Sequence, residues 1–214
     1  MKIPLRELEQ VRQDPRAYLR KRERPSGGEF YGKSKYLTLQ GAVFHYHEEK
    51  GDLDSAREYL KDAYVRLFKD QRSLQESMDQ LNNYAAAFRR LGNSVFKVRD
   101  QLKLSLPETI SREVSLTARI PRLDLTTKGY AVWLFSKVPV DLRSELRLPL
   151  IQETYSKKLS AALDEITVGV YDFATENYES YSFTQREVNR ATTELGQLVD
   201  RLIAIARPKT LREF

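Results

Sequence analysis

Along the first half of the chain apolar residues recur three or four positions apart, and along much of the second half they alternate. Leu5, Leu8, Val11 and Tyr18 follow a helical period over residues 4 to 22, with Asp14-Pro15 marking a break. Pro25-Ser-Gly-Gly28 then reads as a loop, and a second helix runs from about Ser34 to Lys50. Gly51-Asp-Leu-Asp54 supplies a turn and a cap for a third helix. From there to about Leu104, positions such as Leu67, Leu74, Leu81, Phe88, Val95, Val98 and Leu102 keep mostly helical spacing, interrupted near Gly92-Asn93. That spacing predicts a helical pair or triple.

From Ser111 the period becomes two. Val114, Leu116, Ala118 and Ile120 alternate with polar neighbours, and Tyr130, Val132 and Leu134 answer them across Thr126-Thr-Lys-Gly129, which predicts a β-hairpin. A helix from about Leu142 to Leu163 follows, then a strand over Glu165–Phe173 and a shorter one around Tyr178–Phe183. The last helix opens at Thr184, where Thr184 and Glu187 form a capping box. Val188, Ala191, Leu195, Leu198, Leu202 and Ile205 make one apolar stripe along it, and Pro208 stops it. The expected fold class is α/β, a mixed β-sheet flanked by helices, with an N-terminal helical region and a helical insertion. A chain of 214 residues is long enough for one well-buried domain, here expected over 1–214, with 52–105 as the insertion and 106–207 as the strand-rich core.

Composition narrows the setting. Charged residues at 31% and hydrophobic residues at 41% describe an ordinary soluble protein, without an apolar run of the roughly 20 residues a membrane helix needs. No secretory leader is visible in Met-Lys-Ile-Pro-Leu-Arg-Glu-Leu-Glu, so a cytoplasmic protein without membrane contact is expected. Cysteine is absent, which excludes disulfides and cysteine-held zinc or iron–sulfur centres. The net charge of +6 is concentrated near the N-terminus: residues 1 to 40 hold ten bases against five acids. Arg16, Arg20, Lys21, Arg22, Arg24, Lys33 and Lys35 are the candidate phosphate contacts, since a basic face gains affinity for a polyanion by releasing counterions.

Three phrases carry a resemblance. Ile3-Pro-Leu-Arg-Glu-Leu through Asp14-Pro-Arg-Ala-Tyr-Leu19 is similar to the opening helix of the RecB-like and Cas4-like branch of the PD-(D/E)xK nuclease superfamily. Gly41-Ala-Val-Phe-His45 through Glu49 resembles that branch's Gly-x3-His-x3-Glu helix, whose histidine is a metal ligand in active relatives. The hairpin 112–137, the Arg147–Ile151 helix and the final strand and helix fall in the family order. The resemblance covers nearly the whole chain. It implies a restriction-endonuclease-like core and a setting in DNA repair or prokaryotic antiviral defence, including CRISPR systems.

The family's catalytic positions are not filled by catalytic residues. The first acid falls on Pro121, and the second acid and the lysine fall on Leu134 and Ser136; a shift of one recovers Lys137 but no acid. Arg147 and Ile151 stand where the next helix usually offers a glutamine and a tyrosine. Phosphodiester cleavage by Mg²⁺ or Mn²⁺ needs hard carboxylate oxygens, so only His45 survives of the implied ligand set. His47, two residues on, cannot join His45 in an i, i+4 site. Asp124, with Glu145 or Glu49, is the candidate for a migrated acid. Trp133, Tyr171, Tyr178 and Tyr181 could stack on bases or pack across strands. No phosphate-binding glycine loop or nucleophile elbow occurs. The expectation is a catalytically inactive nuclease-fold protein without a cofactor, binding DNA or scaffolding a larger complex. The alternatives are an active metal-dependent nuclease using displaced acids, with Mg²⁺ or Mn²⁺, and a pure protein–protein adaptor.

Overall fold

The computed structural model describes residues 1–23, 34–104, 106–112 and 114–206. Strand β1 (Lys2–Pro4) leads through a 3-10 turn at Leu5–Glu7 into α1 (Leu8–Gln13) and α2 (Pro15–Glu23). The expected N-terminal helix is therefore broken twice. Asp14 accepts a 2.8 Å hydrogen bond from the Ala17 N–H, and Pro15 takes the first helical position, where a missing N–H costs nothing.

Helices α3 (Lys35–Glu48), α4 (Leu53–Leu67) and α5 (Gln71–Leu91) follow. Asp52 and Asp70 cap α4 and α5 with side-chain oxygens. The helical stretch expected to reach 105 ends at Leu91, because Ser94–Lys103 is strand β2. Its Asp100 is buried, accepting from Tyr155 Oη at 2.7 Å and Lys158 Nζ at 2.6 Å, with Lys97 Nζ at 2.8 Å. Burial alone would raise the Asp100 pKa, but the two lysines and the tyrosine outweigh it and hold the carboxyl below its usual range. That ionic anchor ties β2 to the helix behind it.

A short helix α6 (Glu108–Ser111) precedes the expected hairpin, β3 (Ser115–Thr126) and β4 (Gly129–Ser136). Helix α7 (Arg147–Leu159), shorter than its apolar spacing suggests, leads to β5 (Ile166–Asp172), β6 (Asn177–Tyr181) and α8 (Gln185–Ala206). Strand β4 is antiparallel to β3 and parallel to β5, and β6 closes antiparallel on β5. Strand β2 is antiparallel to β3, whereas β1 runs parallel to Ser115–Thr117 at its start.

The sheet is mixed and flanked by helices, as the alternating and helical periods predict. Leu116, Ile120, Leu123, Val132 and Val168 share one apolar cluster with α1, α7 and α8. Tyr171 and Phe173 share the other with α3, α4 and α5. Ile120 and Leu123, three apart, enter the same cluster, so the alternation of β3 slips around Pro121. Among the described residues no helix is long and apolar enough to cross a membrane.

Candidate nucleic-acid interface

The sheet and its two helical layers leave a cleft of about 1080 Å³. Pro121 from β3, Leu134 from β4, Arg147 and Ile151 from α7, and Gly41 from α3 all line it. Four positions set by the hairpin and helix alignment thus converge on one site. Its chemistry differs from a metal site: Lys2, Arg6, Arg99, Lys103, Arg119 and Arg147 line it, and among the described residues no aspartate or glutamate does. Tyr36, Leu37, Phe44 and Phe135 supply an apolar wall.

These residues do not fit Mg²⁺ or Mn²⁺, which require carboxylate or carbonyl oxygens and would be repelled by the cations. Nor do any three histidine, aspartate or glutamate side chains cluster to hold a metal among the described residues. The arrangement suits an anion, because guanidinium and ammonium groups offer only donors.

His45 does not line this cleft. Its Nε2 lies 2.9 Å from Ser55 Oγ on α4, and its ring stacks on Tyr59 at 5.1 Å. Gly41, one turn earlier, faces the same tyrosine; a Cβ there would stand 2.9 Å from the Tyr59 hydroxyl. In this chain the Gly-x3-His spacing therefore serves the packing of α3 on α4.

The other candidates disperse. Ser136 Oγ donates to the Val138 carbonyl at 2.7 Å, and Lys137 Nζ sits 4.9 Å over the Tyr36 ring. Glu145 pairs with Arg147 at the edge of the cleft, and burial raises its pKa although Arg147 opposes the shift. Asp124 is fully buried, its Oδ1 2.8 Å from Arg122 Nε without an aligned hydrogen bond. The proposed rescue of metal binding by Asp124 with Glu145 or Glu49 is not assembled, since a guanidinium already occupies the aspartate.

Arg122 and its surroundings escaped the sequence reading. The side chain has no exposure, lies 4.5 Å over Phe88, and donates through Nη1 to Tyr84 Oη and, at 2.8 Å, to Tyr178 Oη. His47 Nε2 lies 2.7 Å from Tyr84 Oη. Burial, reinforced by the charge of Arg122, lowers the His47 pKa to about 3. For Arg122 burial opposes the charge, yet Tyr84, Tyr178 and Asp124 more than compensate and its pKa is raised. Trp133 and Tyr178 pack at 4.7 Å beside this group and Tyr171 meets Tyr178 at 4.6 Å, so three of the candidate base-stacking rings serve the core. Tyr181 packs on Phe183 at 4.8 Å.

On α2, Arg16, Arg20, Lys21 and Arg22 are exposed. Arg22 Nη1 donates to the Lys2 carbonyl at 2.7 Å, joining the basic end of α2 to the cleft that Lys2 lines. Lys35 is engaged instead with Asp70, 2.6 Å away, where its charge and the cap of α5 pull the aspartate pKa down. Arg24 and Lys33 lie outside the described residues. The cleft cations Arg99 and Lys103 escape a helical reading of 94–103, and Arg119, although on the expected strand β3, lies outside the N-terminal charge excess.

No family model matches the sequence, and no curated protein matches it. Among solved structures the chain is similar to a candidate exonuclease from Eubacterium rectale, at 12% identity and a TM-score of 0.48 over 81% of this chain and 68% of that one. It is also similar to the protein SSO0001, at 10% identity and a TM-score of 0.32 over 94% and 88% of the two chains. Likenesses this distant assign no activity.

Proposed function

We propose that this chain is a nuclease-fold protein of the RecB-like and Cas4-like kind that binds DNA without cutting it, as a subunit of a repair or antiviral-defence complex. The observation that carries the reading is the cleft. Where the resemblance would put the family's acids it presents Pro121 and Leu134, and among the described residues its lining holds six cations and no carboxylate, Glu48 and Glu145 pairing with Arg99 and Arg147 from outside that lining. A metal-dependent hydrolase needs the reverse charge. A phosphodiester backbone is attracted to this one, and the exposed basic residues of α2 extend the positive surface from Lys2. The hairpin, the α7 crossover and the parallel β5 agree with the restriction-endonuclease-like order that the resemblance implies.

The test combines binding with cleavage. Labelled single- and double-stranded DNA should bind at 50 mM salt, with log affinity falling by roughly 0.9 per log unit of salt for each duplex phosphate neutralised. No cleavage should follow on adding Mg²⁺ or Mn²⁺. Cleavage that Asp124→Ala abolishes would establish the active-nuclease alternative, and absence of any DNA binding at low salt would favour the protein–protein adaptor.

A further inference from the structure

We infer that Arg99 is the residue of the cleft that grips a phosphate group of a bound polyanion, and that Glu48 is the internal carboxylate which that phosphate displaces. The inference rests on the DNA-binding reading above and adds a site and a competitor to it.

Arg99 is set apart from the other five cations by its backbone. Its φ of 53° lies in the left-handed region, within a strand and at a residue with a Cβ. Val98 and Asp100 keep their partners Arg122 and Ile120 across the ladder, while Arg99 has none. Such a conformation persists only where the surroundings enforce it, and it concentrates at binding sites. The side chain leaves the alternation of β2 and reaches α3, with its guanidinium 4.6 Å from the Phe44 ring centroid. The ring holds the plane from one side and leaves edge N–H groups for an anion.

Glu48 stands one turn beyond Phe44 on α3. Its Oε1 lies 3.5 Å from Arg99 Nε, and both side chains are 42% exposed. An exposed ion pair at that distance is weak. A phosphate can accept two parallel hydrogen bonds from the same guanidinium and is the stronger partner. Arg147 also has a carboxylate, Glu145, but that pair is closer and only 20% and 17% exposed, so it is less available for exchange.

The probes are a labelled DNA duplex followed by fluorescence anisotropy and inorganic pyrophosphate followed by calorimetry, both at fixed ionic strength on the full chain. Arg99→Gln is expected to weaken binding about ten-fold and to lower the DNA salt slope by about 0.9, the contribution of one phosphate contact. Glu48→Gln should tighten binding about two- to four-fold, as release of a weak surface pair predicts. Arg99→Gly relieves the backbone and should melt no lower than the parent while binding as poorly as Arg99→Gln, which separates a lost grip from a lost fold. If pyrophosphate binds with these effects and DNA does not, the DNA reading falls and the anion site stands. Binding of neither probe, an Arg99→Gln variant that binds like the parent, or a Glu48→Gln variant that binds no tighter overturns the inference.

Discussion

His47 sits where a charge cannot be tolerated. Arg122 Nη1 lies 3.5 Å from its Nε2, Tyr84 and Phe88 of α5 close over it, Tyr46 packs against it at 5.0 Å, and Arg122 is itself held by Asp124 and Tyr178. With the folded-state pKa lowered to about 3 from the ordinary 6.5, the unfolded chain binds a proton in that interval that the folded chain refuses. The resulting stability is complete above about pH 6.5 and is lost as pH falls toward 3, by up to about 1.4 kcal/mol per pH unit. Asp124 has the opposite sign: its pKa is raised by burial, which Arg122 only partly offsets, so acid relieves part of its cost. Because Asp124 is common to both proteins, His47→Gln isolates the histidine. That variant should lose less melting temperature between pH 6.5 and 4 than the parent, even if it starts lower at pH 7. Parallel acid limbs for the two proteins would show that His47 does not control them. The sequence exposed the two histidines but not their roles, because His45 and His47 differ only in which helix each meets.

At the scale of elements, most of the fold was legible where local spacing and burial agree. The hairpin β3–β4, the strand β5 and the helix α8 carry clean periods, and Thr184 N donates to Glu187 Oε2 at 2.8 Å as the capping box predicts. Strand β2 was not legible, and its irregularities explain why. The register shifts between Val95 and Lys97, and Arg99 is left-handed, so the inward positions fall at Val95, Val98, Asp100 and Leu102. One slip spaces Val95 and Val98 by three, and the charge at inward Asp100 leaves Leu102 as the next apolar position four further on, so the strand imitates a helical spacing. The turns show how little sequence need specify when geometry is exacting. Gly129 has φ 140°, and a Cβ there would lie 2.2 Å from the Glu165 carbonyl oxygen. Gly92 ends α5 at φ 67° with open space around it. Gly129→Ala should therefore cost about 2–4 kcal/mol in urea denaturation, against about 1 kcal/mol for Gly92→Ala. Equal costs at the two sites would mean that the approach of β5 to this turn yields easily.

Across the whole molecule, the charge excess counted near the N-terminus is only part of the basic surface. Arg16, Arg20, Lys21 and Arg22 belong to α2, whereas Arg99, Lys103 and Arg119 come from β2 and β3, distant in sequence and brought beside Lys2 by the sheet. Lys103 and Arg119 have no ion-pair partner among the described residues, so a ligand meets them without displacing a carboxylate. Residues walling a cleft should contact a polyanion more closely than residues on a convex helix, and the effect of charge reversal should follow that order. Lys103→Glu with Arg119→Glu is expected to weaken DNA binding more than Arg16→Glu with Arg20→Glu, with each pair lowering the salt slope by up to about 1.8 where both residues contact duplex phosphates. Anisotropy titrations at several salt concentrations read both quantities, and circular dichroism checks that each variant stays folded. If the α2 pair dominates and the cleft pair is neutral, DNA passes over the N-terminal helix alone and the cleft has another ligand.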